Sequence, residues 1–247
     1  MSSKILLVII ILLTAYINLC NRIVLKEKFF SIKNHFNLNG KVYVINLEKR
    51  KDRKNFFIKI FDNMNINKVL KRPNFYKAVN GFEEKIPSWW FKENPYKWVS
   101  KEGSWGCFMS HYNLLKKFVK SKDSILVVLE DDTKFKDKFN ENFVKFIENT
   151  PKDWEVLYLG FTNNEKPIEV NKYCDRTTSV NTTVGYVVNK KGANEYLKIL
   201  NRKLENKDNE PFDCTLSRNQ KDLKIYQPKD VLIDQNKELE SDVYAKK

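Results

Sequence analysis

Three consecutive carboxylates, Glu130, Asp131 and Asp132, follow directly on residues 125–129, five apolar residues suited to a buried strand. Acids packed this closely repel, so the cluster needs a neutralising cation or a shift in protonation. Oxygen-rich sites of this type hold Mg²⁺ or Mn²⁺ and bridge the ion to phosphate oxygens. The competing reading is a turn in which one acid caps the chain and the others face water; the triplet alone leaves both open. A second group with binding chemistry lies upstream in "VYVINLEKRKDRK" (42–54), where a strand ends at Asn46 and is followed by Arg50 and Arg53. Guanidinium groups just past a strand suit a diphosphate or nucleotide, or they form a solvated basic loop.

In an open α/β sheet, ligands bind beyond the carboxyl ends of the strands, so the flanking elements decide whether these groups meet. A strand is expected at 41–47, then a helix carrying Phe56, Phe57, Ile60, Phe61 and Met64 at helical spacing. Residues 73–105, rich in Pro, Trp and Asn, read as a long irregular excursion, of the kind that serves as a lid or substrate wall. "GSWGCFMSH" (103–111) reads as a glycine-containing turn leading into a helix, with Ser110 as its N-cap and Leu114, Leu115 and Phe118 on one face. Strands follow at 125–129, 155–160, 182–189 and 224–227, with helices at about 137–148 and 191–203 and a polar tail at the end. Strands alternating with amphipathic helices predict an α/β fold, a mixed and mostly parallel sheet flanked by helices.

The chain has 247 residues, 42% hydrophobic and 13% aromatic, enough for a sizeable core. Its 45 Lys and Arg against 31 Asp and Glu give a formal charge of +14. Much of the excess is Lys scattered among Asn, and no helix-turn-helix, zinc-finger or RNA-recognition signature focuses it, so no nucleic acid partner is expected. Cys20, Cys107, Cys174 and Cys214 are widely spaced and imply no disulfide framework, though one bridge such as Cys174–Cys214 stays open. Two histidines are too few for a histidine-based zinc site. Residues 5–17 are apolar apart from one Thr, short for a spanning helix and compatible with a signal-peptide core. The expected organisation is a signal anchor or signal peptide over 1–20, a stem over 21–40 and a catalytic-type domain over 41–247.

Several segments carry a resemblance. "VYVINLEKRKDR", "AVNG" (78–81), "GSWGCFMSH", "LVVLEDDTKF" (126–135) and "VGYVVNKKGANEYL" (184–197) are similar to, and in the order of, motifs of glycosyltransferase family 25. "PFDCTL" (211–216), "IYQPKDVLIDQ" (225–235) and "SDV" (241–243) resemble its closing motifs. The family includes lipooligosaccharide and collagen hydroxylysine galactosyltransferases. The resemblance implies a GT-A-like nucleotide-diphospho-sugar fold and metal-dependent transfer of a hexose, most often galactose, from a UDP-sugar. It makes Glu130-Asp131-Asp132 a DxD-type element, with Glu130 and Asp132 as Mn²⁺ (or Mg²⁺) ligands. Asn46, Arg50, Arg53 and Asp131 lie at the nucleotide end in this scheme, with Gly106, Ser110 and His111 along the wall near the donor sugar. Inverting transfer needs a base; Asp213 is the candidate, with a helix N-cap as its other reading, and His111 competes for the role. Gly185 and Tyr186 fall near the acceptor or the base.

Trp105 departs from the commonest family form and is expected to reshape the donor pocket. Trp89 and Trp90 serve either as an acceptor wall or as core packing. The acceptor expected is a glycan, a lipid-linked sugar or a protein, at a membrane reached through the N-terminal segment. That membrane is the endoplasmic reticulum or Golgi in type II orientation, or alternatively a bacterial inner membrane. Two other functions compete: a catalytically silent, membrane-anchored carbohydrate-binding relative, and a two-metal phosphodiesterase or nuclease.

Overall fold

The computed structural model describes residues 3–35, 40–91, 96 and 99–243. The chain divides into two units, Met1–Leu38 and Asn39–Lys247. In the first, the segments expected as anchor and stem form one helix, α1 (Ser3–His35). Leu7, Ile10, Leu12, Tyr16 and Leu19 lie exposed along it. Residues 5–17 cover only about 20 Å at 1.5 Å per residue, against a hydrocarbon core of about 30 Å. No helix among the described residues is long and apolar enough to cross a membrane.

The second unit begins with β1 (Lys41–Asn46), α2 (Lys51–Asn63), β2 (Asn74–Lys77), α3 (Lys101–Lys120) and β3 (Ile125–Glu130). It continues with β4 (Thr133–Phe135), α4 (Phe139–Asn149), β5 (Val156–Tyr158), β6 (Thr162–Asn163), β7 (Ile168–Asn171), β8 (Cys174–Thr177) and β9 (Val180–Asn181). It closes with β10 (Gly185–Asn189), α5 (Lys190–Asn206), α6 (Phe212–Asn219), β11 (Ile225–Pro228) and β12 (Ile233–Gln235). The main sheet runs β2-β1-β3-β10-β5-β11-β8-β7 and is mixed. β2–β1, β1–β3 and β5–β11 are parallel; the other neighbours are antiparallel.

β3 is central, and residues 125–129 are buried throughout, as a strand covered on both faces requires. Leu126 and Val128 point into the core shared with Leu114, Leu115, Tyr196, Leu200 and Phe212 of α3, α5 and α6. Elsewhere in the unit, Phe57 and Phe61 of α2 meet Phe135, which in turn meets Phe139 of α4 edge to face.

Two local expectations need correction. The glycine-containing turn at 103–106 and the N-cap at Ser110 do not exist: α3 starts at Lys101, and Ser100 caps it by accepting from Gly103 N at 2.9 Å. These two helical positions are glycine because other backbone crosses the helix there. A Cβ on Gly106 would stand 2.7 Å from Val79 O, and one on Gly103 would stand 2.5 Å from Asp242 O. The polar tail is likewise structured, since β12 pairs antiparallel with β4 and Val243 O accepts from Ser100 N at 2.9 Å.

The irregular excursion contains β2 and a buried aromatic cluster. Trp90 is fully buried, 5.0 Å from Trp105 and 5.2 Å from Phe108 between ring centroids. Trp105 therefore faces core rather than donor pocket, and Trp90 is packing. Residues 92–95, 97 and 98 of that segment lie outside the described residues.

Candidate active site

Parallel pairing of β1 with β3 sets Ile45 opposite Glu130, so the residues that follow each strand come together. Asn46 Nδ2 donates to Asp131 Oδ2 at 2.6 Å and to Arg50 O at 3.1 Å. Arg53, buried on the first turn of α2, donates through Nη1 to Asp131 Oδ1 at 2.7 Å; Asp132 Oδ2 lies 3.4 Å from the same nitrogen. Its Nη2 donates to Glu240 O at 2.5 Å. Arg50 bonds Asp52 through Nε at 3.0 Å, Glu240 O through Nη1 at 2.9 Å, and the Asp242 carboxylate. The two arginines are thus already tied to protein acceptors, and Arg53 supplies the positive charge nearest the acids.

The three acids have separate environments. Glu130 Oε1 accepts from Thr183 Oγ1 at 2.5 Å and lies 3.3 Å from His111 Nε2. Burial opposes its charge, but these bonds, with the charges of His111 and Arg53, bring its pKa below the ordinary carboxylate value. Asp131 is raised, because burial outweighs Arg53 and Asn46. Asp132 is pushed up to about 7 by burial and by the neighbouring Glu130. Its Oδ2 accepts from Gln235 Nε2 at 2.9 Å, while its Oδ1 is buried with no hydrogen-bond partner. An unpaired buried carboxylate oxygen is costly. Its chemistry fits a divalent cation, with Asp132 and Glu130 as the residues to hold it.

His111 is buried with both ring nitrogens engaged, Nε2 toward Glu130 and Nδ1 3.1 Å from the Tyr186 hydroxyl. Its ring also stacks on Phe212 at 4.6 Å. That setting suits a residue that orients Glu130. Ser110 Oγ donates to Gly106 O at 2.6 Å and accepts from Val79 N at 2.8 Å, which pins the 78–81 loop to α3.

Two clefts open over this region. The first is lined by Arg53, Val79, Gly106, Ser110, His111, the three acids and Asp242; Asn46 and Arg50 are outside its lining. The second contains Asp213, Phe161, Thr182, Thr183 and Lys237. Cys107, Glu130 and Gln235 belong to both walls, so the clefts meet there. Asp213, in the first turn of α6, accepts from Cys214 N at 2.9 Å, and Pro211 rather than Asp213 occupies the N-cap. Burial raises its pKa, against the backbone N–H groups of Cys214 and Thr182 that lower it. Thr182 has φ 95°, a costly conformation for a β-branched residue. It donates through Oγ1 to Gly160 O at 3.1 Å.

Sequence reasoning missed Thr182, Thr183, Gln235, Glu240 and Asp242. Gln235 and Asp242 stood inside quoted motifs, yet only the fold brings the tail to Arg50 and Asp132. All four cysteines are free.

Residues 39–215 match glycosyltransferase family 25 (LPS biosynthesis protein). The chain belongs to that family. Family 25 relatives include a glycosyltransferase 25 family member of Anopheles gambiae, 27% identical over 172 residues, covering 64% of this chain and 28% of that protein. Procollagen galactosyltransferase 2 of Homo sapiens is 26% identical over 171 residues, covering 62% and 26%. The match spans little more than a quarter of the length of these relatives. Among solved structures, a glycosyltransferase involved in glycosylation of the major capsid of PBCV-1 aligns over 67% of each chain, at 12% identity and a TM-score of 0.36.

Proposed function

We propose that this family 25 chain is a metal-dependent glycosyltransferase of GT-A-like fold. It transfers a hexose, galactose, from a UDP-sugar to a hydroxyl of a glycan, lipooligosaccharide or hydroxylysine acceptor, with inversion. The carrying observation is the partnerless, buried Asp132 Oδ1 at the carboxyl end of β3, in a cleft that joins the Asp213 cleft through Glu130.

In this reading the first cleft takes the donor. Glu130 and Asp132 would hold Mn²⁺ or Mg²⁺, which when bound offsets the charge developing on the departing diphosphate. Arg53 and Asn46 hold Asp131 still and keep the strand ends in register. His111 and Thr183 fix Glu130. The Ser110 bond to Val79 N sets the loop that walls the donor. The second cleft takes the acceptor, and Asp213, a partly buried carboxylate with a raised pKa, accepts the hydroxyl proton as the new bond to the sugar forms. The backbone N–H of Cys214 aims the carboxylate.

We further propose that α1 attaches the protein to a membrane surface through its exposed apolar side chains. The location, endoplasmic reticulum or Golgi against bacterial inner membrane, goes with that attachment. Co-sedimentation of the full chain with lipid vesicles at high salt supports it, and its recovery in the supernatant ends it.

The function is tested by UDP release from UDP-galactose across an acceptor panel, with Mn²⁺ and with chelator. Turnover that requires the metal is the expected result. Sugar binding without turnover for any donor replaces the enzyme reading with a carbohydrate-binding one.

A further inference from the structure

A different set of metal-ligating atoms lies where the two clefts meet. Cys107 and His111 are one turn apart on α3, so both side chains leave the same helix face. Glu130 reaches them from the end of β3. One ligand atom from each residue, sulfur, ring nitrogen and carboxylate oxygen, lies within 4.8 Å of the other two. The His111 Nε2 to Glu130 Oε1 distance is 3.3 Å. Two ligands on a tetrahedral zinc ion with bonds of about 2.0–2.1 Å stand roughly 3.3–3.4 Å apart. That pair already has the spacing of a tetrahedral edge.

The surrounding contacts orient the ligands as outer partners of a metal site do. The Tyr186 hydroxyl meets Nδ1 and leaves Nε2 turned to the site, while Thr183 holds Glu130. Three protein ligands leave a fourth position, and the clefts that share Cys107 and Glu130 open onto it. Thiolate and imidazole favour zinc over the oxygen-seeking Mn²⁺ and Mg²⁺.

We infer that Cys107, His111 and Glu130 form a site for a thiophilic divalent cation, zinc, and that its occupancy blocks sugar transfer. On binding, the sulfur–zinc bond forms as the thiol proton leaves to solvent, and the ion takes the place of the hydrogen between His111 Nε2 and Glu130. The ring keeps its one proton on Nδ1 beside the Tyr186 hydroxyl, and any second ring proton leaves to solvent. Glu130 is then withdrawn from the donor cleft and the passage between the clefts is filled. Binding rests on the ligand geometry alone; the block rests on the transferase reading above.

Cobalt(II) added to the metal-free, reduced full chain is the direct probe. One equivalent should give a sulfur-to-cobalt charge-transfer band with the visible spectrum of a tetrahedral ion. Cys107→Ser should lose that band while keeping the wild-type circular dichroism and melting temperature, and Cys107→Ala guards against a serine-specific defect. In UDP release, zinc should inhibit the wild type, and Cys107→Ser should need at least tenfold more, relative to its own zinc-free rate. Absence of the band, or its persistence in both variants, overturns the site. A cobalt band with transfer indifferent to zinc overturns the block. Lack of any zinc-free turnover overturns the transferase reading and the block with it, while the band still decides the site.

Discussion

At the residue scale, the three acids differ in their partners and in their protonation. Asp131 is paired with Arg53, Glu130 is held by His111 and Thr183, and Asp132 keeps one oxygen without a partner. Asp132→Ala removes that oxygen and should cut transfer on the order of 10²–10³-fold, weakening Mn²⁺-dependent UDP binding. Calorimetry with and without Mn²⁺ checks this, and unchanged metal-dependent UDP affinity removes Asp132 from the ligand set. Asp213 has its own signature. A raised pKa means that the carboxylate is protonated, and useless as a base, up to a higher pH than an ordinary aspartate. The rate should therefore fall with decreasing pH through a limb lying above the usual carboxylate range. Asp213→Asn should lower transfer by about 10²–10⁴-fold and abolish that limb, leaving UDP affinity in place.

At the element scale, α3 is the scaffold of the first cleft's wall. Ser110 sits mid-helix, and its hydroxyl is the acceptor for Val79 N. Ser110→Ala strands a partly buried N–H and should cost about 1–3 kcal/mol, with a raised KM for the donor. Urea unfolding read beside donor kinetics separates the two effects. Sequence pattern found β1 and α5 through apolar positions that repeat at the period of the element, and β3 through its short unbroken apolar run. It missed the first half of α3, since two glycines there look like a turn until the crossing backbone of Val79 and Asp242 is known. It could see the acids but not their division of labour, which depends on the β1–β3 register and on the tail. The strand reversal at β10 was equally hidden, because direction is set by packing and not by composition.

At the scale of the whole molecule, the chain is two units, with α1 separate from the unit that carries both clefts. Removing residues 1–38 should leave the denaturation midpoint and UDP affinity of the remainder unchanged while abolishing retention on vesicles. Loss of UDP binding in the truncated protein would give α1 a part in the site. The acidic cluster is finished by a segment far away in sequence: Glu240 O, bound by Arg53, lies 187 positions downstream of it. Asp242 completes the shell of Arg50 over 192 positions. Synthesis runs from the amino end, so β1, α2 and β3 can form while the strap that ties their arginines does not yet exist. On the transferase reading, a nascent chain should not bind a donor in the finished geometry until residues 240–243 have been made. The first turnover would then wait on the last part of translation.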